Sequence, residues 1–159
     1  MKAAPTHACS VGITDRQKIL RIAKPWLERL VKRAVAAEGI EQAEIGILLV
    51  DDRRIAKLHA EWFDDPTPTD VITFDLSAGD VLAGDIAVST ETARRMAREV
   101  GWAPRQELAY YVVHGILHLT GYDDRAAADR RAMRARERAV MKAIGLPVPP
   151  RTPSRRKRS

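Results

Sequence analysis

Apolar residues recur at helical spacing early in the chain. Ile19, Ile22, Ala23, Trp26, Leu27, Leu30, Val31 and Ala34 share one side of a 3.6-residue period. The pattern predicts a helix opened by a capping box between Thr14 and Gln17 and closed at Gly39. Residues 1–13 show little periodicity and are expected to be a flexible lead-in. The short, nearly continuous apolar run Ile45–Val50 reads as a buried strand. Asp51 and Asp52 then open a helix with Ile55, Leu58 and Trp62 on one face, and a loop with Pro66 and Pro68 leads to a strand over Val71–Phe74. Gly79 and Gly84 are expected to bracket turns before a strand over Asp85–Val88. Ser89 caps a helix running towards Gly101, and Pro104 stands in the first turn of the next, which breaks at Gly121. A last helix spans about Ala126 to Ile144 and stops at Gly145. Helices and strands interleave around a small sheet with one local hairpin, which favours α+β over a doubly wound architecture.

The chain has 159 residues, 45% apolar and 30% charged, the balance of one ordinary globular domain. The predicted organisation is a lead-in over 1–13, a folded domain over 14–145 and a disordered basic tail over 146–159. Net charge is +6, but Arg151, Arg155, Arg156, Lys157 and Arg158 stand in that tail without an acid and supply +5 of it. Such a Pro-rich run is too poor in apolar residues to fold; it can add salt-sensitive phosphate contacts or simply solubilise the end. One cysteine, Cys9, leaves no intrachain disulfide partner and points to a reducing cytoplasm. No segment reaches the roughly 20 apolar residues that span a bilayer, so no membrane association is expected.

The run His114-Gly115-Ile116-Leu117-His118-Leu119-Thr120-Gly121-Tyr122-Asp123-Asp124 carries the chemistry. Two histidines four apart on a helix project from one face with Cβ atoms ~5–6 Å apart, so two imidazole nitrogens can reach one ion at ~2.0–2.1 Å. Gly121 lets the chain leave the helix in a left-handed conformation and return a third ligand. Asp124 is the candidate, with Asp123 in competition as ligand or turn former, and His59 as a further histidine in an ordered element. The spacing is similar to that of the metzincin proteases, H-E-x-x-H-x-x-G-x-x-H, with two departures. Gly115 replaces the glutamate base on which peptide hydrolysis depends, and the third ligand is a carboxylate. Two core histidines, each satisfied by a hydrogen bond, would be the plainer reading of the pair; Gly and Asp at these offsets favour a metal site.

These residues resemble the YbeY family, bacterial endoribonucleases of rRNA maturation. The family signature H-G-x-L-H-L-x-G-Y-D-H is matched at His114-Gly115, Leu117-His118-Leu119 and Gly121-Tyr122-Asp123, with Asp124 in place of the final histidine. Pro68-Thr69-Asp70-Val71-Ile72-Thr73-Phe74 resembles the family's P-T-D-V-L-S-F, and Gly84-Asp85-Ile86-Ala87-Val88-Ser89 its G-D-I-x-I-S. The resemblance covers about residues 43–145. It implies a zincin-like single α+β domain, a small mixed sheet packed with several helices, and one divalent metal, zinc, on His114, His118 and Asp124. It further implies a cytoplasmic, single-strand-specific, metal-dependent endoribonuclease of ribosome biogenesis, with ribosomal RNA and small-subunit assembly components as partners.

A second departure stands at Phe63, where the family usually has an arginine in a basic cleft near the metal. Arg53, Arg54 or Lys57 on the preceding helix are the candidates to compensate, although each also reads as part of a solvated face. Asp70 and Asp85 are read as turn organisers, without a catalytic role. The altered ligand and the missing arginine keep open a second function, a non-catalytic ribosome-assembly factor whose metal only stabilises the fold. Metalloprotease and two-histidine, one-carboxylate iron oxygenase are more distant, the first for want of a base, the second because the flanking blocks do not support it.

Overall fold

Strand β2 (Gln42–Val50) is the spine of the sheet. Its residues Ala43, Ile45, Ile47 and Leu49 point to one side and are buried. It pairs in parallel with β1 (Ala8–Asp15) on one edge and β4 (Leu82–Ser89) on the other. Strand β3 (Val71–Asp75) adds to β4 as an antiparallel edge, giving the order β1-β2-β4-β3. The β3–β4 pair is the local hairpin expected from the sequence. This computed structural model describes residues 8–65 and 69–147; the loop prolines Pro66 and Pro68 and nearly all of the basic tail lie outside them.

Five helices complete the α+β domain: α1 (Lys24–Ala37), α2 (Asp52–Phe63), α3 (Thr90–Val100), α4 (Pro104–Leu119) and α5 (Ala127–Ala143). One sheet face carries Ile45, Ile47, Val71, Ile86 and Val88 and joins one core with residues of α1, α4 and α5. On the opposite face Ile55 and Leu58 of α2 cover Leu48, Ile72, Phe74 and Ala87. Helix α4 is buried at every residue from Glu107 to Leu117. This accounts for a sequence that is apolar all round rather than striped.

Three expectations need correction. Residues 8–13 are not a loose lead-in but most of β1. Cys9, Val11 and Ile13 pack half-buried against the core, while Ser10 and Gly12 occupy the alternate positions. Those weak side chains hid a period of two. Thr14 is accordingly a strand residue opposite Leu48, not a helix cap. The Gln17 side chain accepts the Ile19 and Leu20 N–H groups and donates to the Leu20 carbonyl, building a turn before a helix that starts ten residues after Thr14. Gly84 does not bracket a turn either. It is paired inside β4, where a Cβ would lie 2.7 Å from Leu119 and 2.8 Å from the Phe74 carbonyl.

Asp52 ties α2 to α3. Its Oδ1 accepts from Ser89 Oγ at 2.5 Å and Thr92 Oγ1 at 2.6 Å, and Oδ2 accepts from Arg95 at 3.2 Å. Burial alone would raise the carboxyl's pKa, but these hydrogen bonds outweigh it and hold it below the usual carboxylate range. A depressed folded pKa contributes stability that is present above the unfolded value and is lost as pH falls through the folded one. Asp52→Asn should therefore cost about 1–2 kcal/mol at neutral pH. In urea melts, the gap between the two proteins should close as the solution is acidified through the carboxylate range.

Candidate metal centre

Because α4 is held by core contacts on nearly all sides, its orientation about its own axis is fixed. Gly115 sets its distance from the sheet: a Cβ there would lie 2.8 Å from Ile86 Cγ2 and 3.2 Å from Thr73 Cγ2. The position after His114 therefore faces the sheet. It leaves no room for the glutamate that a protease of this spacing requires.

On another side of α4, Tyr110, His114 and His118 stand one turn apart. The two imidazoles meet edge-to-face with centroids 4.6 Å apart and Nε2 atoms 3.1 Å apart. After Thr120 the chain turns at Gly121, whose φ is +108°, and the Tyr122 N–H donates to the Leu117 carbonyl. The reversal brings Asp124 Oδ2 to 3.6 Å from both His114 Nε2 and His118 Nε2. The point equidistant from these three atoms lies about 2.0 Å from each, the bond length of zinc to nitrogen and carboxylate oxygen. The donor set thus fits one divalent ion on size and chemistry, and it is the single such cluster among the described residues.

The protonation pattern agrees. His114 Nδ1 lies 2.5 Å from Glu137 Oε2, and His118 Nδ1 lies 3.1 Å from the Tyr122 carbonyl. With each Nδ1–H donating to its acceptor, both Nε2 lone pairs face the shared point. Burial pushes the His118 pKa down, the neighbouring His114 adds to this, and Asp124 only partly opposes it. A neutral imidazole is the form that binds a metal.

Of the competing third ligands, Asp123 is a turn former whose Oδ1 accepts the N–H groups of Asp124 and Arg125. His59, on α2, has Nε2 4.0 Å from Asp65 and stands outside the cluster. Asp70 is buried just before β3 and Asp85 lies over Gly46 of β2; neither joins the cluster. Phe63 is exposed at the end of α2, against Phe74 and His59. Arg53 and Arg54 are exposed on α2, and Lys57 pairs with Glu61 at 4.0 Å. Their helix covers the sheet face opposite α4.

Sequence reasoning missed Glu137. It is buried on α5 between Met133 and Val140–Met141, the one carboxylate on that helix's core face. Its Oε1 accepts from Tyr110 Oη at 2.5 Å while Oε2 faces His114. A charged residue at i+4 in an apolar stripe was the available signal.

The fold and site together define a small α+β domain in which two histidines and an aspartate converge on one ion-sized point. A family model described as Endoribonuclease YbeY matches residues 11–145. A protein described as Endoribonuclease YbeY from Anaeromyxobacter dehalogenans is 46% identical over 115 residues, 70% of this chain and 60% of that one. Another so described, from Moorella thermoacetica, is 41% identical over 133 residues, 76% of this chain and 85% of its own length. The solution structure of TM1509 from Thermotoga maritima superposes with a TM-score of 0.62 at 26% identity, covering 92% of this chain and 99% of that one. The chain belongs to the YbeY endoribonuclease family. It spans only 60% of the length of the Anaeromyxobacter relative.

If Glu137 fixes the His114 tautomer, the isosteric Glu137→Gln should weaken divalent-metal affinity about ten- to a hundredfold. Competition against a chromophoric chelator measures this, with circular dichroism confirming that the fold is kept.

Proposed function

We propose that this protein is a metal-dependent endoribonuclease acting on single-stranded RNA, in the cytoplasm, in the maturation of ribosomal RNA and the assembly of the small subunit. The observation that carries the metal dependence is the convergence of His114, His118 and Asp124 on one ion-sized point. Zinc is the ion that the family resemblance implies, and the N,N,O donor set and its spacing admit it, while the Asp124 carboxylate moves the preference of the set towards harder ions. Family membership supports the nuclease activity.

A divalent ion supplies Lewis acidity towards a phosphoryl oxygen and acidifies water. The chain's own residues set how much. His114 and His118 contribute neutral donors, their Nδ1 protons engaged by Glu137 and the Tyr122 carbonyl. Asp124 brings a negative charge, which leaves a divalent centre at +1 instead of the +2 that three imidazoles would leave. Its reduced Lewis acidity predicts a slower catalyst than a three-histidine relative. Asp124 is a quarter exposed and His118 is partly so, which leaves the centre open on that side. Three protein ligands with an open side are the arrangement of a catalytic site, whereas structural zinc is closed by four. Gly115, pressed on the sheet, supports RNA over peptide as substrate.

The rival reading, an assembly factor with a structural metal, draws on Phe63, which offers no guanidinium to a phosphate, and on Asp124. Two variants decide. His114→Ala should abolish cleavage of a single-stranded rRNA precursor by the metal-loaded protein while the fold persists. Asp124→His should raise zinc content and cleavage together. Cleavage that survives His114→Ala, or no gain of either kind from Asp124→His, would overturn the proposal.

A further inference from the structure

Helix α5 holds six cations, Arg130, Arg131, Arg134, Arg136, Arg138 and Lys142, against two acids, Asp129 and Glu137. The charges are sorted by side. Arg130, Arg134, Arg138 and Lys142 follow one another at i+4 and form a single ridge, and Arg131, seven before Arg138, stands beside it. Glu137 is on the core face. Asp129 and Arg136, also seven apart, share the other flank, where Arg136 pairs with Glu38 at 2.7 Å. The ridge therefore contains no acid of its own helix. Among the described residues no carboxylate comes within ion-pair distance of Arg130, Arg131, Arg134 or Lys142. Like charges three and four apart oppose a helix, so this flank favours a counter-charge brought from outside.

The ridge begins at the metal centre. Arg130 Nη1 donates to the Arg125 carbonyl at 2.7 Å and lies 3.5 Å from the carbonyl of Asp124, the carboxylate member of the cluster. Two turns further on, Glu137 of the same helix holds His114. From Arg130 the cations climb away from Asp124, one every ~6 Å along the helix axis. Arg131, Arg134 and Lys142 are exposed. Helices α4 and α5 pack on the same face of the sheet, so centre and ridge belong to one side of the molecule.

We propose that this flank of α5 binds the phosphate backbone of the RNA strand where it leaves the metal centre. The inference rests on the nuclease reading of that centre and adds a backbone track to it. Guanidinium groups match phosphate oxygens with paired N–H donors, and a row of them follows a polyanion along its length. Such contacts fix register and orientation without reading sequence. An acidic protein surface would meet the same cations. RNA is the better occupant because the row starts at a residue that braces the backbone of a metal-ligand candidate, where a substrate phosphate has to arrive.

The test measures binding of a labelled 2′-O-methyl oligonucleotide, recovered intact after each titration, to the full chain by fluorescence anisotropy over a series of KCl concentrations. Each single-strand phosphate neutralised adds about 0.7 to the slope of log affinity against log salt. The triple variant Arg131→Gln, Arg134→Gln, Lys142→Gln should lower the slope by about 2 and weaken binding at least about tenfold at low salt. Glutamine keeps the helix propensity of the residues it replaces. A second triple variant on α1, Lys24→Gln, Arg29→Gln, Arg33→Gln, removes the same charge and should leave the slope as it was. Arg134→Gln alone should lower it by about 0.7 and covers the case in which the first triple variant does not fold. An unchanged slope in the α5 variants, or equal falls in the two triple variants, overturns the proposal. So does competition by an oligoglutamate of equal length as effective as that of unlabelled RNA, which would assign the flank to an acidic protein. Because binding is read without turnover, loss of cleavage alone would refute the nuclease reading and leave this result standing.

Discussion

The seating of α4 on the sheet is the constraint from which the site follows. Two glycines set it: Gly115 on the helix against Ile86 and Thr73, and Gly84 on β4 beneath Leu119. A side chain at either would push the helix outward. With the helix that close and buried from Glu107 to Leu117, its rotation is no longer free, and the face bearing Tyr110, His114 and His118 has one direction to take. That direction meets α5 and the chain reversal at Gly121, the two sources of everything else the centre needs.

The electrostatics of the centre depend on where each negative charge stands. Glu137 is buried, yet it is held by the Tyr110 hydroxyl and His114 Nδ1, so its charge leaves water with hydrogen bonds in place. It acts on the metal site indirectly, by fixing which imidazole nitrogen carries the proton. Asp124 acts directly and from a more solvated position. One carboxylate therefore sharpens the donor geometry while the other lowers the charge of whatever ion is held.

Much of this was legible from residues alone, for reasons that differ by element. The two histidines, the glycine and Asp124 are local in sequence, so helical spacing and one turn were enough to place them together. Strands β2 and β3 and the Ser89 cap were likewise written in short-range pattern. Strand β1 was not, because its outward residues are serine and glycine and its inward ones are only half buried; its strand character comes from pairing with β2, which no local pattern encodes. Gly84 was misplaced for a related reason. Glycine at a turn and glycine under a helix look alike until the third dimension is known. Glu137 lies 23 residues from His114, and its role exists only once α5 packs on α4.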